Sequence, residues 1–325
     1  MRPNLDIELV ICTYNNVGQL VLVLEAIAQQ RVSESIQWGV LVVNNNCTDG
    51  TADLVEQAIV AGKIPHLRIV QEPTQGLTPA RLCGVTQTTA TWIAYVDDDC
   101  VLQPDWVEQA VRFAAQHPEA GAFGGRVVLT WETSPSPFVL GYGYSFAEQD
   151  HGMQIQERDC LVGAGMVVNR KALDACGWTK RQLMHDRIGK KLISGGDVEL
   201  ALRIRGAGYP LWYTPACELK HLIPPRRTSL TYLKSMNFGL GTCQIHADLM
   251  LWAGSFPGWA QSATWKTAKL SLEILKQTLR MWLGRAQPED VAIQWSFVKG
   301  RWAGLAQLLQ TDQERQQALM GCAKV

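Results

Sequence analysis

Three consecutive carboxylates, Asp97-Asp98-Asp99, follow the apolar run Trp92-Ile93-Ala94-Tyr95-Val96. Adjacent carboxylates repel one another, so their presence at the end of a buried strand asks for a cation or a strong structural reason. A period of two places Asp97 and Asp99 on one face and turns Asp98 to the other. Two oxygen ligands from a strand end, completed by water and phosphate, are a common way to hold Mg2+ or Mn2+. The same acidic run would also serve as a turn that caps the next helix. Another acid, Asp197, follows Gly195-Gly196 where a helical pattern begins, and Asp is a favoured cap there. The first strand is not followed by G-x-G-x-x-G, since residues 13–18 read Thr-Tyr-Asn-Asn-Val-Gly, and the chain has no G-x-x-x-x-G-K-[ST] loop. A nucleotide bound here would be held by a metal and by side chains.

These residues need a frame, and the order of elements supplies one. Leu9-Val10-Ile11-Cys12 reads as a buried strand, followed by a helix to about residue 30 that Asn15 or Asn16 can cap. Gly39-Val40-Leu41-Val42-Val43 is a second strand, with Thr48 or Asp49 to cap the next helix, and residues 66–70 form a third. Thr78-Pro79 opens a third helix, residues 92–96 form a fourth strand, and Pro104 with Asp105 and Glu108 starts a fourth helix. Alternating strands and helices with short connections predict an α/β fold, a mostly parallel sheet with helices on both faces. Ligands of such sheets bind beyond the carboxyl ends of the strands, where residues 13–16, 44–49 and 97–99 all fall. Past Arg126 the pattern loosens: residues 131–160 read as a long loop, 161–169 as a strand, and Asp197 to Arg205 as a helix. The sheet-forming pattern ends near residue 245, which divides the chain into 1–245 (halves 1–126 and 127–245) and a helical appendage, 246–325.

Taken together, Thr13-Tyr14-Asn15, the run Asn44-Asn45-Asn46-Cys47-Thr48-Asp49-Gly50-Thr51, Gln75-Gly76-Leu77 with Ala80-Arg81, Asp97-x-Asp99 and Gly196-Asp197-Val198-Glu199-Leu200 form an ordered set. That set resembles family 2 glycosyltransferases of the GT-A fold across residues 5–245. It is similar to bacterial exopolysaccharide transferases, and residues 163–224 resemble the cyanobacterial hormogonium-polysaccharide branch. The resemblance implies an inverting transfer from a nucleotide-diphosphate sugar, most simply a UDP-sugar, to a polysaccharide or lipid-linked oligosaccharide. It makes residues 1–126 the nucleotide-sugar half and 127–245 the acceptor half. It places Thr13, Tyr14 and Asn15 at base and ribose, and Asn44 where the family usually has an Asp that accepts from uracil. Asp49, Arg81, Asp97, Asp98 and Arg226 complete the donor set, with Arg226 or Arg227 closing over phosphate. Asp99 becomes the main ligand of Mn2+ or Mg2+, with Asp97 and His221 beside it, and Asp197 the catalytic base. In the family that base usually follows a Glu; here Gly196 stands there.

Composition frames the remaining expectations. With 47% hydrophobic and 18% charged residues, the 325-residue chain can build a sizeable core. A net charge of zero offers no global argument for nucleic acid as a partner, but residues 220–325 hold 13 Lys/Arg against 6 Asp/Glu. Within that region Trp265, Ala268, Leu272, Leu275, Leu279 and Trp282 recur at helical spacing beside a stripe of Lys266, Lys269, Glu273, Lys276 and Arg280. Residues 264–283 therefore read either as a membrane-surface helix or as a helix packed on the domain with a solvated basic edge. Nine scattered cysteines without a C-x-x-C pair fit reduced thiols, and no apolar signal region or spanning segment is evident. These features predict a cytosolic protein that lies on any membrane it meets. A metal-dependent nucleotidyltransferase and a non-catalytic nucleotide-sugar binder are the competing readings.

Overall fold

The computed structural model describes residues 5–184, 186 and 195–322. Residues 1–4, 185, 187–194 and 323–325 lie outside the described residues, among them a short stretch of the expected acceptor half.

The first half runs β1 (Ile7–Thr13), α1 (Val17–Ala28), β2 (Trp38–Asn44), α2 (Thr51–Ala61), β3 (Arg68–Gln71), α3 (Leu77–Gln87) and β4 (Trp92–Tyr95). Next come β5 (Cys100–Leu102), α4 (Trp106–Gln116), β6 (Ala122–Gly124), β7 (Val127–Trp131), α5 (Pro137–Leu140), β8 (Gln156–Arg158), β9 (Met166–Asn169) and α6 (Arg170–Ala175). The chain ends with α7 (Gly196–Gly206), β10 (Leu211–Tyr213), β11 (Leu219–Ile223), α8 (Leu230–Met250), α9 (Phe256–Trp282), α10 (Pro288–Gln310) and α11 (Gln313–Leu319).

The main sheet has the order β3-β2-β1-β4-β9-β6-β10-β8. Its first four strands are parallel, while β9 runs antiparallel between β4 and β6. Strand alternation sorts the core into two layers. Ile7, Leu9 and Ile11 pack with α1, α2 and α4, while Val10, Leu41 and Val43 pack with α3, α6 and α7. The expected α/β sheet with helices on both faces is thus present. A smaller sheet, β5-β11-β7, sits beside the acidic turn.

Several local expectations are corrected. The segment read as a long loop contains α5, a 3-10 turn over Gly143–Phe146 and β8. Helix α3 starts at Leu77, one residue before Thr78, so Pro79 lies inside the first turn, where its missing N–H costs no hydrogen bond. The acidic run is a turn between β4 and β5, closed by the Cys100 N–H to the Asp97 carbonyl at 3.0 Å, so a strand's period of two does not govern it.

Residue 245 lies inside α8, so the appendage continues a helix of the α/β half instead of following a linker. Its core is shared: Leu202 of α7 packs with Ile245 and Leu249 of α8, Trp259 and Ala263 of α9, and Leu305 and Leu308 of α10. Helices α8 and α10 approach so closely that a Cβ at Gly300 would collide with the Phe238 carbonyl, and one at Gly241 with that of Phe297. Gly300→Val should therefore destabilise the chain by about 1–3 kcal/mol, the usual cost of overpacking, measured by urea unfolding. An unchanged midpoint would show that the two helices can part without loss.

Candidate active site

A cleft of ≈ 560 Å³ opens beyond the carboxyl ends of β1 and β4, a size suited to a small-molecule ligand. It is lined by Thr13, Tyr14, Asn15, Arg81, Asp97, Asp98, Asp99, Asp197, His221 and Arg226 among others. Asn44 and Asp49 are not part of that lining. The buried Asn44 accepts the Cys47 N–H, three residues on, on Oδ1 at 2.8 Å, a local side-chain bond that shapes the end of β2. Asp49 joins two helix starts: Oδ2 accepts from Val17 N–H at 3.0 Å, and Oδ1 from Thr51 N–H at 3.1 Å. It thus caps α1 from a distance, whereas the two expected caps use their side chains elsewhere, Asn16 on Asp98 and Asn15 on the Thr48 N–H.

The three adjacent aspartates each take a different cation or donor. Asp97 lies 3.9 Å from the Arg81 guanidinium. Asp98 accepts from the Asn16 side-chain amide at 2.8 Å, and burial together with the Asp99 charge pushes its carboxyl up to about 7. Asp99 is buried, with Arg227 Nη1 at 2.8 Å from Oδ2 and His221 Nε2 at 3.3 Å from Oδ1. His221 sits in β11 and is buried, with Nδ1 2.7 Å from the Phe146 carbonyl. A carbonyl only accepts, so Nδ1 carries a proton, and Nε2 is left to face both the Asp99 carboxylate and the Arg227 guanidinium, each 3.3 Å away. Burial lowers the His221 pKa, but the Asp99 carboxylate outweighs it and the net shift is upward.

Oxygen of Asp99, Nε2 of His221 and sulfur of Cys100 lie within 4.8 Å of one another. A carboxylate with an imidazole whose other nitrogen is hydrogen-bonded to backbone is a donor set that fits a divalent cation. Arg227 supplies the positive charge on Asp99 in this structure, and Arg226 lies exposed on the cleft wall.

Asp197 is the second residue of α7. Its Oδ2 accepts from Gly163 N–H at 3.0 Å and its Oδ1 from Val198 N–H at 2.9 Å. Burial and the nearby Asp186 carboxylate raise its pKa, while Arg81 and the two amides oppose the rise. Sequence reasoning missed Asp186. Its Oδ1 accepts from the Gly195 and Gly196 amides at 3.2 and 2.9 Å, and Oδ2 meets Arg81 Nη1 at 3.0 Å. A Cβ at Gly196 would collide with that carboxylate. Gly196 thus leaves room for a carboxylate that arrives from an earlier segment, and the bare Gly196 was its only trace in the sequence.

Glu199 anchors this segment. Its wholly buried carboxylate accepts from the Leu183 and Met184 amides at 2.9 and 2.7 Å and pairs with Arg203 at 2.9 Å. Asn45, also missed, accepts from Gly76 N–H at 2.8 Å and donates to the carbonyls of Glu72 and Thr74, fixing the approach to α3 and hence Arg81. Cys100, Cys217 and Cys243 are buried, and all nine cysteines are unpaired.

A sheet of this order, with an acidic turn after β4 and an acid opening α7 across the cleft, defines a GT-A fold. The chain resembles the mannosyltransferase PcManGT of Pyrobaculum calidifontis, solved with GDP-Man and Mn2+. The TM-score is 0.61 over 93% of this chain and 88% of that one, at 15% identity. Residues 8–177 match the model of glycosyl transferase family 2, and the chain belongs to that family. Among curated relatives, glycosyltransferase AglE of Haloferax volcanii is 26% identical over 74% of this chain and 73% of its own length. The succinoglycan biosynthesis protein ExoM of Rhizobium meliloti is 24% identical over 76% of this chain and 77% of its own length. The protein is a glycosyltransferase.

Glu199→Ala would leave two buried amides without their acceptor and Arg203 without its counter-charge, a loss on the order of 3–5 kcal/mol. Thermal unfolding checks this; a change within error would show that residues 183–184 are held by other means.

Proposed function

We propose that the chain transfers a sugar, with inversion, from a nucleotide-diphosphate sugar to a hydroxyl of a glycan or lipid-linked glycan, with Asp197 as general base. The observation that carries this reading is the meeting of Asp197, with its raised pKa, and the Asp99–His221 pair in one cleft. The mannosyltransferase complex with GDP-Man and Mn2+ supports a donor of this class and a divalent ion.

Asp197 takes the proton of the acceptor hydroxyl as its oxygen bonds to the anomeric carbon, and the bond from that carbon to phosphate oxygen breaks. The nucleoside diphosphate leaves with the electron pair. General-base assistance of this kind contributes roughly 10²–10⁴-fold. The Gly163 amide holds the Asp197 carboxylate in place. Asp99 and His221, with Asp97, would hold a divalent cation, which when bound neutralises charge developing on the diphosphate. Arg226, at the cleft wall, and Arg227, drawn off Asp99, bind diphosphate oxygens. Tyr14, half-exposed on the cleft wall, offers a ring for the base, and Thr13 and Asn15 shape that end. Asn44 and Asp49, engaged with backbone amides, act by shaping the loop and not by touching the donor. We propose a UDP-sugar as donor.

Calorimetric titration with UDP and with GDP, each with Mn2+ and with EDTA, tests the donor site. Metal-dependent binding of UDP, lost in Asp99→Ala, is expected; tighter GDP binding would overturn the base assignment alone. Absence of metal-linked binding of either nucleotide would sink the proposal. Binding intact but no transfer by the wild type would leave a nucleotide-sugar binder, and Asp197→Asn should lose at least ~10²-fold in kcat with binding retained.

Asp186 gives a pH test. A base is active when deprotonated, so kcat/KM falls on the acid side through the raised pKa of Asp197. Asp186→Asn removes the repelling charge and frees Arg81 for Asp197, so that limb should move to lower pH. A limb that stays in place would remove Asp197 as the titrating base.

A further inference from the structure

The helix read from sequence as amphipathic has a second apolar face. Helix α9 packs on the appendage through Trp259, Ala263, Thr267 and Ile274, all buried. The stripe Trp265, Leu272, Leu275, Leu279, Trp282 and Leu283 points away from that face and is 48–75% exposed. At about 1.5 Å per residue it extends over about 27 Å of helix. Trp302 of α10, whose indole N–H donates to Ser271 Oγ at 3.1 Å, stands at its margin and is 38% exposed. Side chains of this size left together in water mark a docking surface.

We propose that this outer face of α9 seats the enzyme on an anionic lipid surface. Charge identifies the occupant. Lys269, Lys276, Arg280 and Lys266 follow one another along one flank of the stripe, with Glu273 the single acid of the run. Lys269 Nζ lies 5.6 Å from the Trp265 ring centroid, so a cation stands directly beside the apolar strip. Apolar side chains entering the acyl boundary while ammonium groups meet lipid phosphates is the geometry of a helix lying in an interface. Tryptophan near both ends of the strip suits the headgroup level. A second copy of the chain fits less well, because an antiparallel two-fold contact along this stripe would bring two basic flanks together with only Glu273 to answer them. Among the described residues no helix is long and apolar enough to cross a bilayer, so the contact is with one leaflet. Helix α9 also lies outside residues 8–177, so family membership does not account for this face.

The full chain, without nucleotide or metal, is floated with vesicles of phosphatidylcholine alone and with ~30% phosphatidylglycerol. Binding to the anionic vesicles, at least ~10-fold weaker on neutral ones and reduced by salt, is expected. Leu272→Glu with Leu279→Glu, at exposed positions, should abolish flotation while leaving the unfolding temperature unchanged; Lys269→Glu with Lys276→Glu should weaken it comparably. Flotation that survives both pairs, or no flotation of the wild type, overturns the proposal. So does a wild-type dimer in sedimentation that the leucine variants convert to monomer without any lipid binding. None of these outcomes depends on whether the transferase reaction is as proposed.

Discussion

Five aspartates, at positions 97, 98, 99, 186 and 197, line a single cleft, and two of the arginines that line it with them, Arg81 and Arg227, pair with these carboxylates and allow the site to exist. Arg81 comes from α3 and answers Asp97 and Asp186; Arg227 comes from the turn after β11 and answers Asp99. Like charges this close and this poorly hydrated push each other toward protonation. Asp98 and Asp197 are shifted upward first by burial and then by the neighbouring carboxylate, Asp99 for the one and Asp186 for the other. The balance can be struck only when α3, the β4–β5 turn, β11 and α7 are all in place. The site's electrostatics therefore depend on the whole sheet order.

That dependence explains features that look unrelated. Inserting β9 antiparallel beside β4 carries residues 163–165 to the mouth of the cleft, where the Gly163 amide meets Asp197. Small residues are needed here, since a Cβ at Gly163 would stand 2.8 Å from Arg81 and 3.0 Å from Asp197. The appendage has a related role. Its helices share a core with Leu202 of α7 and with Leu183 and Met184, and Arg315 donates to the Leu183 carbonyl at 3.1 Å. Holding residues 183–184 holds Asp186, and Asp186 holds the start of α7. Apolar burial far from the cleft is thus converted into the position of one carboxylate.

Much of this frame is legible in the sequence because apolar runs and turn residues report strand ends directly. The parallel half, the polar clusters at strand ends and the start of α7 all come from order alone. Asn44 and Asp49 show where that legibility stops. A short polar side chain at a strand end can face a ligand or satisfy a local amide, and the two uses share one residue vocabulary. Only the hydrogen bonds separate them: Cys47 N–H for Asn44, Val17 and Thr51 N–H for Asp49. Asp186 is invisible for the opposite reason. It reaches its amides across nine and ten residues, a distance at which no local pattern constrains side-chain type. Residue 245, where the sheet-forming pattern ends, falls inside a helix because a helix can serve two cores at once, as α8 does.

Helix α9 shows the same limit in another form. Its apolar periodicity is real, but periodicity names a stripe and not what covers it. The packing is done by Trp259, Ala263, Thr267 and Ile274, a weaker pattern interrupted by Thr, while the stronger stripe is left in water. Folding alone does not call for that choice: burying the larger side chains would stabilise the chain more. A chain that commits its smaller face to its own core and keeps its larger one outside leaves that face open to a contact beyond itself. The basic flank then limits what that contact can be, just as the two arginines limit the arrangement of the carboxylates in the cleft.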